Sequence, residues 1–442
     1  MNNLGAVSLE NIKKYKESYE NNAVSKVTTK ALSKTSIEDI CYDLDHAKKM
    51  NFKFSLEVPT LPATNQKSSA RCWLFASLNI LREKVAKKLN LSQFELSQNY
   101  ITFYDHLEKA NSFLEGIIET SDKDMEDRLV NWLFTSAVSD GGWWDMFVGI
   151  CSKYGVVPKE AMPETYQSSN SASMNRILNA QLRQDAVILR KELQEGKEIE
   201  AVRKLKEEML EEIFNILAIC LGNPPETFDF EYVDKENNYH ADRGLTPREF
   251  YDKYIGEDIE EIVSVGHAPS PSKQLNQTYE ISYAGAAVEK RPVRFLNITL
   301  EEMKDMIIRE LKDGQIVWFT CDCGRYIHRQ EGIWDTGLYD YVTPFGLDLH
   351  MTKGEMLDTR QSVPNHAMTI TGVNIVDGKP DKWKIQNSWG DDKGDKGYFI
   401  ISDEWFDQYV YLACIDKKYF SEQQKQDWEK EAIVLPPWDQ LA

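Results

Sequence analysis

The stretch NQKSSARCWLFASLN, residues 65–79, decides how this chain is read. It follows SLEVPTLPATNQ, residues 55–66, where Pro59 and Pro62 favour an extended approach over a helix. From Cys72 the pattern changes. Trp73, Phe75, Ala76, Leu78, Asn79, Ile80 and Val85 place most apolar positions three and four apart, which predicts a helix with a buried face. Cys72 then sits in the first turn. An ordinary thiol, with a pKa of about 8.5, is mostly protonated at neutral pH, and the positive end of a helix dipole is one feature that lowers it. Cys72 is therefore a candidate nucleophile that needs a histidine beside it.

Of the seven histidines, His366 is the strongest partner because it opens a segment holding a second residue that the chemistry requires. From there HAMTITGVNIV, DKWKIQNSWG and KGYFIIS alternate β-branched or aromatic residues with polar ones and are separated by DG and KG turns, so consecutive antiparallel strands are expected. Asn387 lies at the end of the second strand. In a Cys-His-Asn site the asparagine amide oxygen accepts the far imidazole N–H, fixing the tautomer so that the near nitrogen faces sulfur. Gln66, six residues before Cys72, offers its side-chain amide with the Cys72 backbone N–H as an oxyanion site. Singly, a buried cysteine, a histidine before a strand and an NSWG turn are ordinary structural features; together they compose nucleophilic catalysis.

Composition narrows the alternatives. The 442 residues carry 52 basic and 71 acidic side chains, a net charge of −19, which gives no electrostatic basis for binding nucleic acid or anionic lipid. Neither a signal-peptide core nor a window of about 20 apolar residues appears, so a cytoplasmic protein without membrane association is expected. Seven thinly spread cysteines fit reduced thiols better than a disulfide framework. Cys321 and Cys323 have no second pair at zinc-ligand spacing and read as a strand after an apolar run. No metal or cofactor is called for.

The expected organisation is an N-terminal arm at 1–60, a helical lobe at 61–154, a mainly helical insertion at 155–295, a β-sheet lobe at 296–430 and a tail at 431–442. The insertion contains NRILNAQLRQDAVILRKELQEG and IEAVRKLKEEMLEEIFNILAICLG, stopped by Gly222, Pro224 and Pro225. Thr299-x-x-Glu302 is a capping pattern that starts a helix ending near Gly314.

The blocks around Cys72, His366 and Asn387 resemble those of papain-like cysteine peptidases, and the form Gln66-Lys67-Ser68-Ser69-x-Arg71-Cys72-Trp73 is similar to the bleomycin hydrolase and aminopeptidase C branch. SDGGWWDM at 139–146, VWFTCDCG at 317–324 and FGLDLHMTKGEMLDTR before His366 extend the likeness over nearly the whole chain. The 294 positions between Cys72 and His366 exceed the papain-like spacing of about 130–150, as the helical insertion leads one to expect. The resemblance implies an α+β, papain-like, two-lobed fold, a homohexameric ring and cleavage of peptides from the N-terminus. It also implies a substrate groove at Gly141, Gly142, Trp143 and Asn365, with Trp389 packed over the His366–Asn387 pair and Ala442 meeting the substrate ammonium.

Three departures bear on that. Ala70 stands where the family has glycine, which strains the loop if the position needs positive φ. Trp143 replaces the family's glutamine and alters a subsite. The tail, Pro437 to Ala442, is about three residues shorter, which opens an endopeptidase reading. An acyl transferase using the same thiolate and a catalytically silent scaffold are the readings from other classes.

Overall fold

The computed structural model describes residues 5–135, 137–285 and 287–442; residues 1–4 of the N-terminal arm lie outside the described residues. Helix α1 runs Cys72–Leu89, as its periodicity predicts, with Cys72 as its first helical residue. Its N-cap, Arg71, makes no side-chain capping bond, because a guanidinium has no acceptor for a backbone N–H; it pairs instead with Glu164, 2.7 Å away, and donates to Thr102. The helix ends on Asn90, which takes the left-handed conformation that asparagine tolerates. Leu78, Leu81 and Val85 are wholly buried, each contributing about 1.5–3 kcal/mol of transfer free energy.

Helices α2 (Gln98–Glu119) and α3 (Trp144–Tyr154) pack on α1, and α4 (Ala172–Gln194) and α5 (Ile199–Leu221) pack on α2 and on each other. The last stops at Gly222, φ +94. A separate helix, α6 (Leu300–Lys312), begins with the expected Thr299–Glu302 capping box.

Apart from a separate hairpin of Phe228–Val233 and Tyr239–Leu245, the strands are β1 (Leu56–Glu57), β2 (Ile262–Gly266), β3 (Gln277–Ile281), β4 (Arg294–Asn297), β5 (Val317–Cys321), β6 (Ile327–His328), β7 (Ile333–Trp334), β8 (His366–Val376), β9 (Lys379–Gln386), β10 (Tyr398–Ser402), β11 (Val410–Asp416) and β12 (Ile433–Leu435). They form one sheet ordered β12-β3-β4-β2-β11-β5-β8-β9-β10-β7-β6, with β1 added to β8. The β8, β9 and β10 meander is antiparallel, and its first turn carries Asp377 and Gly378 at φ +49 and +81, the left-handed pair that a tight hairpin requires.

Period two sorts the sheet residues between two cores. Val317, Phe319 and Cys321 face Met303, Met306 and Ile307 of α6, whereas Trp318 faces α1 and donates its indole N–H to the Trp73 carbonyl at 3.1 Å. The nucleophile helix therefore lies against the strands that carry the histidine. The α+β class holds. Residues 262–295, grouped with the helical insertion on sequence, contribute β2, β3 and the start of β4 to this sheet.

Candidate active site

His366 opens β8 and Asn387 follows β9, so hydrogen-bonded neighbouring strands bring together residues 21 positions apart. His366 Nε2 lies 2.9 Å from Asn387 Oδ1; with Nε2–H donating, Nδ1 is left for the sulfur. Both side chains are buried. Burial alone would push the Cys72 thiol up, yet its pKa is lowered: the His366 cation, a hydrogen bond from His366 and the backbone N–H groups of Ala367 and Trp73 outweigh desolvation. Burial would likewise push His366 down, and the Cys72 charge, the bond to Cys72 and the bond to Asn387 raise it. Both shifts favour the thiolate and imidazolium forms of the pair. Every other cysteine goes the opposite way, driven first by burial; Cys323 is pushed up to about 12.

Gln66 joins this group through contacts remote in sequence. Asn65 bridges to Trp389, Gln66 N–H donates to Ser388 O at 2.8 Å, and Gly390 N–H donates to Thr64 O at 3.0 Å. The Gln66 side chain is oriented at both ends: Oε1 accepts from Ser388 Oγ at 2.6 Å and Nε2 donates to Ser69 O at 2.7 Å. One amide hydrogen remains for another acceptor. The left-handed residue of this loop is Lys67, φ +54, and Ala70 is not among the positive-φ positions, so the strain expected at Ala70 is absent. Its N–H instead donates to Asp140 Oδ2 at 3.1 Å.

Asp140 leads into the Gly141–Gly142 segment. Its Oδ1 accepts from Asn175 at 2.6 Å and lies 3.3 Å from His106 Nε2, while its backbone oxygen accepts the Trp73 indole at 2.6 Å. Lys109 donates to Asp105, to Ser139 O and to Gly141 O at 2.6–2.9 Å. The carbonyls on either side of Asp140 are thus held inward. Gly142 is required sterically, since a Cβ there would lie 2.6 Å from the Trp73 ring. This network was missed on sequence; its signal was the charged trio Asp105, His106 and Lys109 within a helix whose buried residues include Ile101, Phe103, Phe113 and Leu114.

A cavity of about 1140 Å³ is lined by Gln66, Cys72, Gly141, Gly142, Trp143, Asn365, His366 and Ala442. Eight of the expected residues therefore share one space, while Asn387 and Trp389 stand behind His366. Trp389 stacks on the imidazole with ring centroids 5.0 Å apart. Asn365 turns its amide onto Asp322 and the Cys323 N–H, at 2.7 and 3.0 Å, which fixes the turn before β8. Cys321 ends β5, and Cys323 lies in the turn after it. Apolar walls with a few convergent polar groups suit an extended peptide.

A family model described as the peptidase C1-like family matches residues 6–442. Aminopeptidase C of Listeria innocua is 43% identical over 427 residues, covering 97% of this chain and 93% of that protein. Aminopeptidase C of Lactobacillus helveticus is 42% identical over 438 residues, 98% of each, and bleomycin hydrolase of Homo sapiens is 40% identical over 413 residues, 91% of each. The crystal structure of PepW from Lactobacillus rhamnosis aligns with a TM-score of 0.97 at 41% identity over 99% of each chain, so the likeness takes in both lobes and the helical insertion.

Proposed function

The chain belongs to the peptidase C1-like family, and from that premise we propose that it is a thiol aminopeptidase removing residues from the N-termini of peptides. The observation that carries this is the opposed pair of shifts, Cys72 down and His366 up, in a cavity whose wall also holds Ala442.

In the proposed cycle the Cys72 thiolate attacks the scissile carbonyl. The free amide hydrogen of Gln66 and the Cys72 N–H receive the oxyanion. His366 Nδ1–H protonates the departing amine, and the neutral ring then takes a proton from the water that cleaves the acyl-enzyme. Asn387 holds the ring plane throughout, and Trp389 covers the His366–Asn387 bond. Gly141 and Gly142 offer main-chain groups to an extended substrate, Trp143 walls one subsite, and the Asn365 backbone borders another. Ala442 terminates the groove, so the residue released is the first of the peptide.

The setting we propose is the reducing cytoplasm, in keeping with seven unpaired cysteines and, among the described residues, no helix long and apolar enough to cross a membrane. The assembly we propose is a homohexamer whose sites face an inner space. Exposed helix Leu9–Asn21, with no buried residue of its own, offers surface for such contacts.

The test compares aminoacyl reporters with the same peptides blocked at the N-terminus. Free amines should be preferred by at least about 100-fold, roughly 2.7 kcal/mol at 1.36 kcal/mol per decade. Equal cleavage of blocked peptides would refute the aminopeptidase reading and favour the endopeptidase one.

A further inference from the structure

We infer that Lys273 and Asp439 form a lock that seats the segment Pro437–Ala442 in the cavity, and that this ion pair, remote from the reacting atoms, keeps cleavage at the N-terminal end of the substrate. The inference rests on the aminopeptidase reading above and names the positioning residues that impose it.

Lys273 Nζ lies 2.9 Å from Asp439 Oδ2, and the two side chains are 2% and 8% exposed. The remaining Asp439 oxygen accepts the Leu441 N–H at 2.9 Å, and the Asp439 carbonyl accepts the Ala442 N–H at 3.2 Å. A single residue therefore closes the final turn and ties it to Lys273. Lys273 also reaches Gln440 Oε1 at 3.4 Å.

The anchor is itself rigid. Wholly buried Asn297 donates to the carbonyls of Lys273 and Gln274 at 3.2 and 3.1 Å, and Ser270 in the same loop donates to Asp358 at 2.6 Å. The segment arrives by adding β12 in parallel to β3. Arg128 lies 4.1 Å from the Trp438 ring centroid and Arg360 donates to the Trp438 carbonyl at 2.5 Å, so Trp438 is held from two remote parts of the chain. Leu441 is fully buried beyond it.

Removing one partner of a buried ion pair leaves the other as an uncompensated charge, which is strongly unfavourable unless that group moves to water. Lys273 is fixed by a loop that Asn297 and Ser270 hold, so the segment bearing Asp439 is the part that moves. Loss of Lys273 should free the segment and open the cavity to peptides that continue past it.

The experiment measures kcat/KM on free and N-terminally blocked versions of one peptide for the full chain and for K273M, K273R and D439N. K273M and D439N should raise the blocked-to-free ratio by at least about tenfold, since each breaks a buried pair, while K273R should restore the ratio toward that of the parent. A parent that already cleaves blocked peptides equally refutes the aminopeptidase reading itself. A parent that prefers free amines, with K273M and D439N changing total activity but not the ratio, overturns the lock alone. If K273M does not fold, D439N alone decides: its ratio rises or the lock is wrong. Deleting Gln440 to Ala442 in the K273M background should add nothing to the ratio, because both changes act on one element; additive increases would count against it.

Discussion

The sulfur of Cys72 is buried, and left to burial it would hold its proton. What reverses this is the His366 imidazole together with the backbone N–H groups of Ala367 and Trp73, and the His366 pKa is in turn raised by the Cys72 charge and by the bond from Nε2 to Asn387. The reactive form should exist between the lowered thiol pKa and the raised histidine pKa, so the pH profile of kcat/KM should show an acid limb from Cys72 and an alkaline limb from His366. Asn387→Ala removes a contribution that raises His366, so the alkaline limb should move to lower pH and the rate at its optimum should fall by up to about 100-fold. Steady-state profiles of the two enzymes check this, and an unmoved alkaline limb would count against the assigned tautomer. Cys72, His366 and Asn387 were legible because the chemistry restricts their types. The grip of Ser388 on Gln66 was not, because it depends on residues 64–66 meeting 388–390, a contact no local pattern encodes.

Helix α2 shows what an element contributes to a site it does not enter. Its buried Asp105, His106 and Lys109 hold Ser139, Asp140 and Gly141 from beneath. Asp140 is well below the usual carboxylate range, with His106 bonds and charge overcoming burial, and His106 is raised by Asp105 and Asp140 against its own desolvation. Asp140→Asn should therefore leave His106 without one of its two counterions and cost about 3–5 kcal/mol, the usual price of breaking a buried pair, read as a lower urea midpoint at unchanged slope. A loss under about 1 kcal/mol would show the network to be dispensable. The elements with strong local signals were legible: the helix from Cys72, the Thr299 capping box and the Asp377–Gly378 hairpin. Strands β2 to β4 were not. They are only four or five residues long, and short apolar runs do not declare which core they serve.

Over the molecule as a whole, the sheet carries the geometry, since the tail follows β12, the histidine opens β8 and the asparagine follows β9, while the nucleophile helix packs across them. The exposed helix Leu9–Asn21 belongs to this scale, because a helix without buried residues gains little by folding onto its own chain. Light scattering at micromolar concentration should return about six chain masses, and deletion of residues 1–32 should lower that number; a monomer in both cases would remove the hexamer. The central claim, however, is chemical. Iodoacetamide labelling at pH about 6, where an ordinary thiol is almost wholly protonated, followed by peptide mapping, tests it most directly. The account predicts that Cys72 is alkylated ahead of the other six cysteines, that activity falls in step with its label, and that His366→Ala abolishes the preference. Full labelling of Cys72 with activity retained, or equal labelling rates with and without His366, would contradict it.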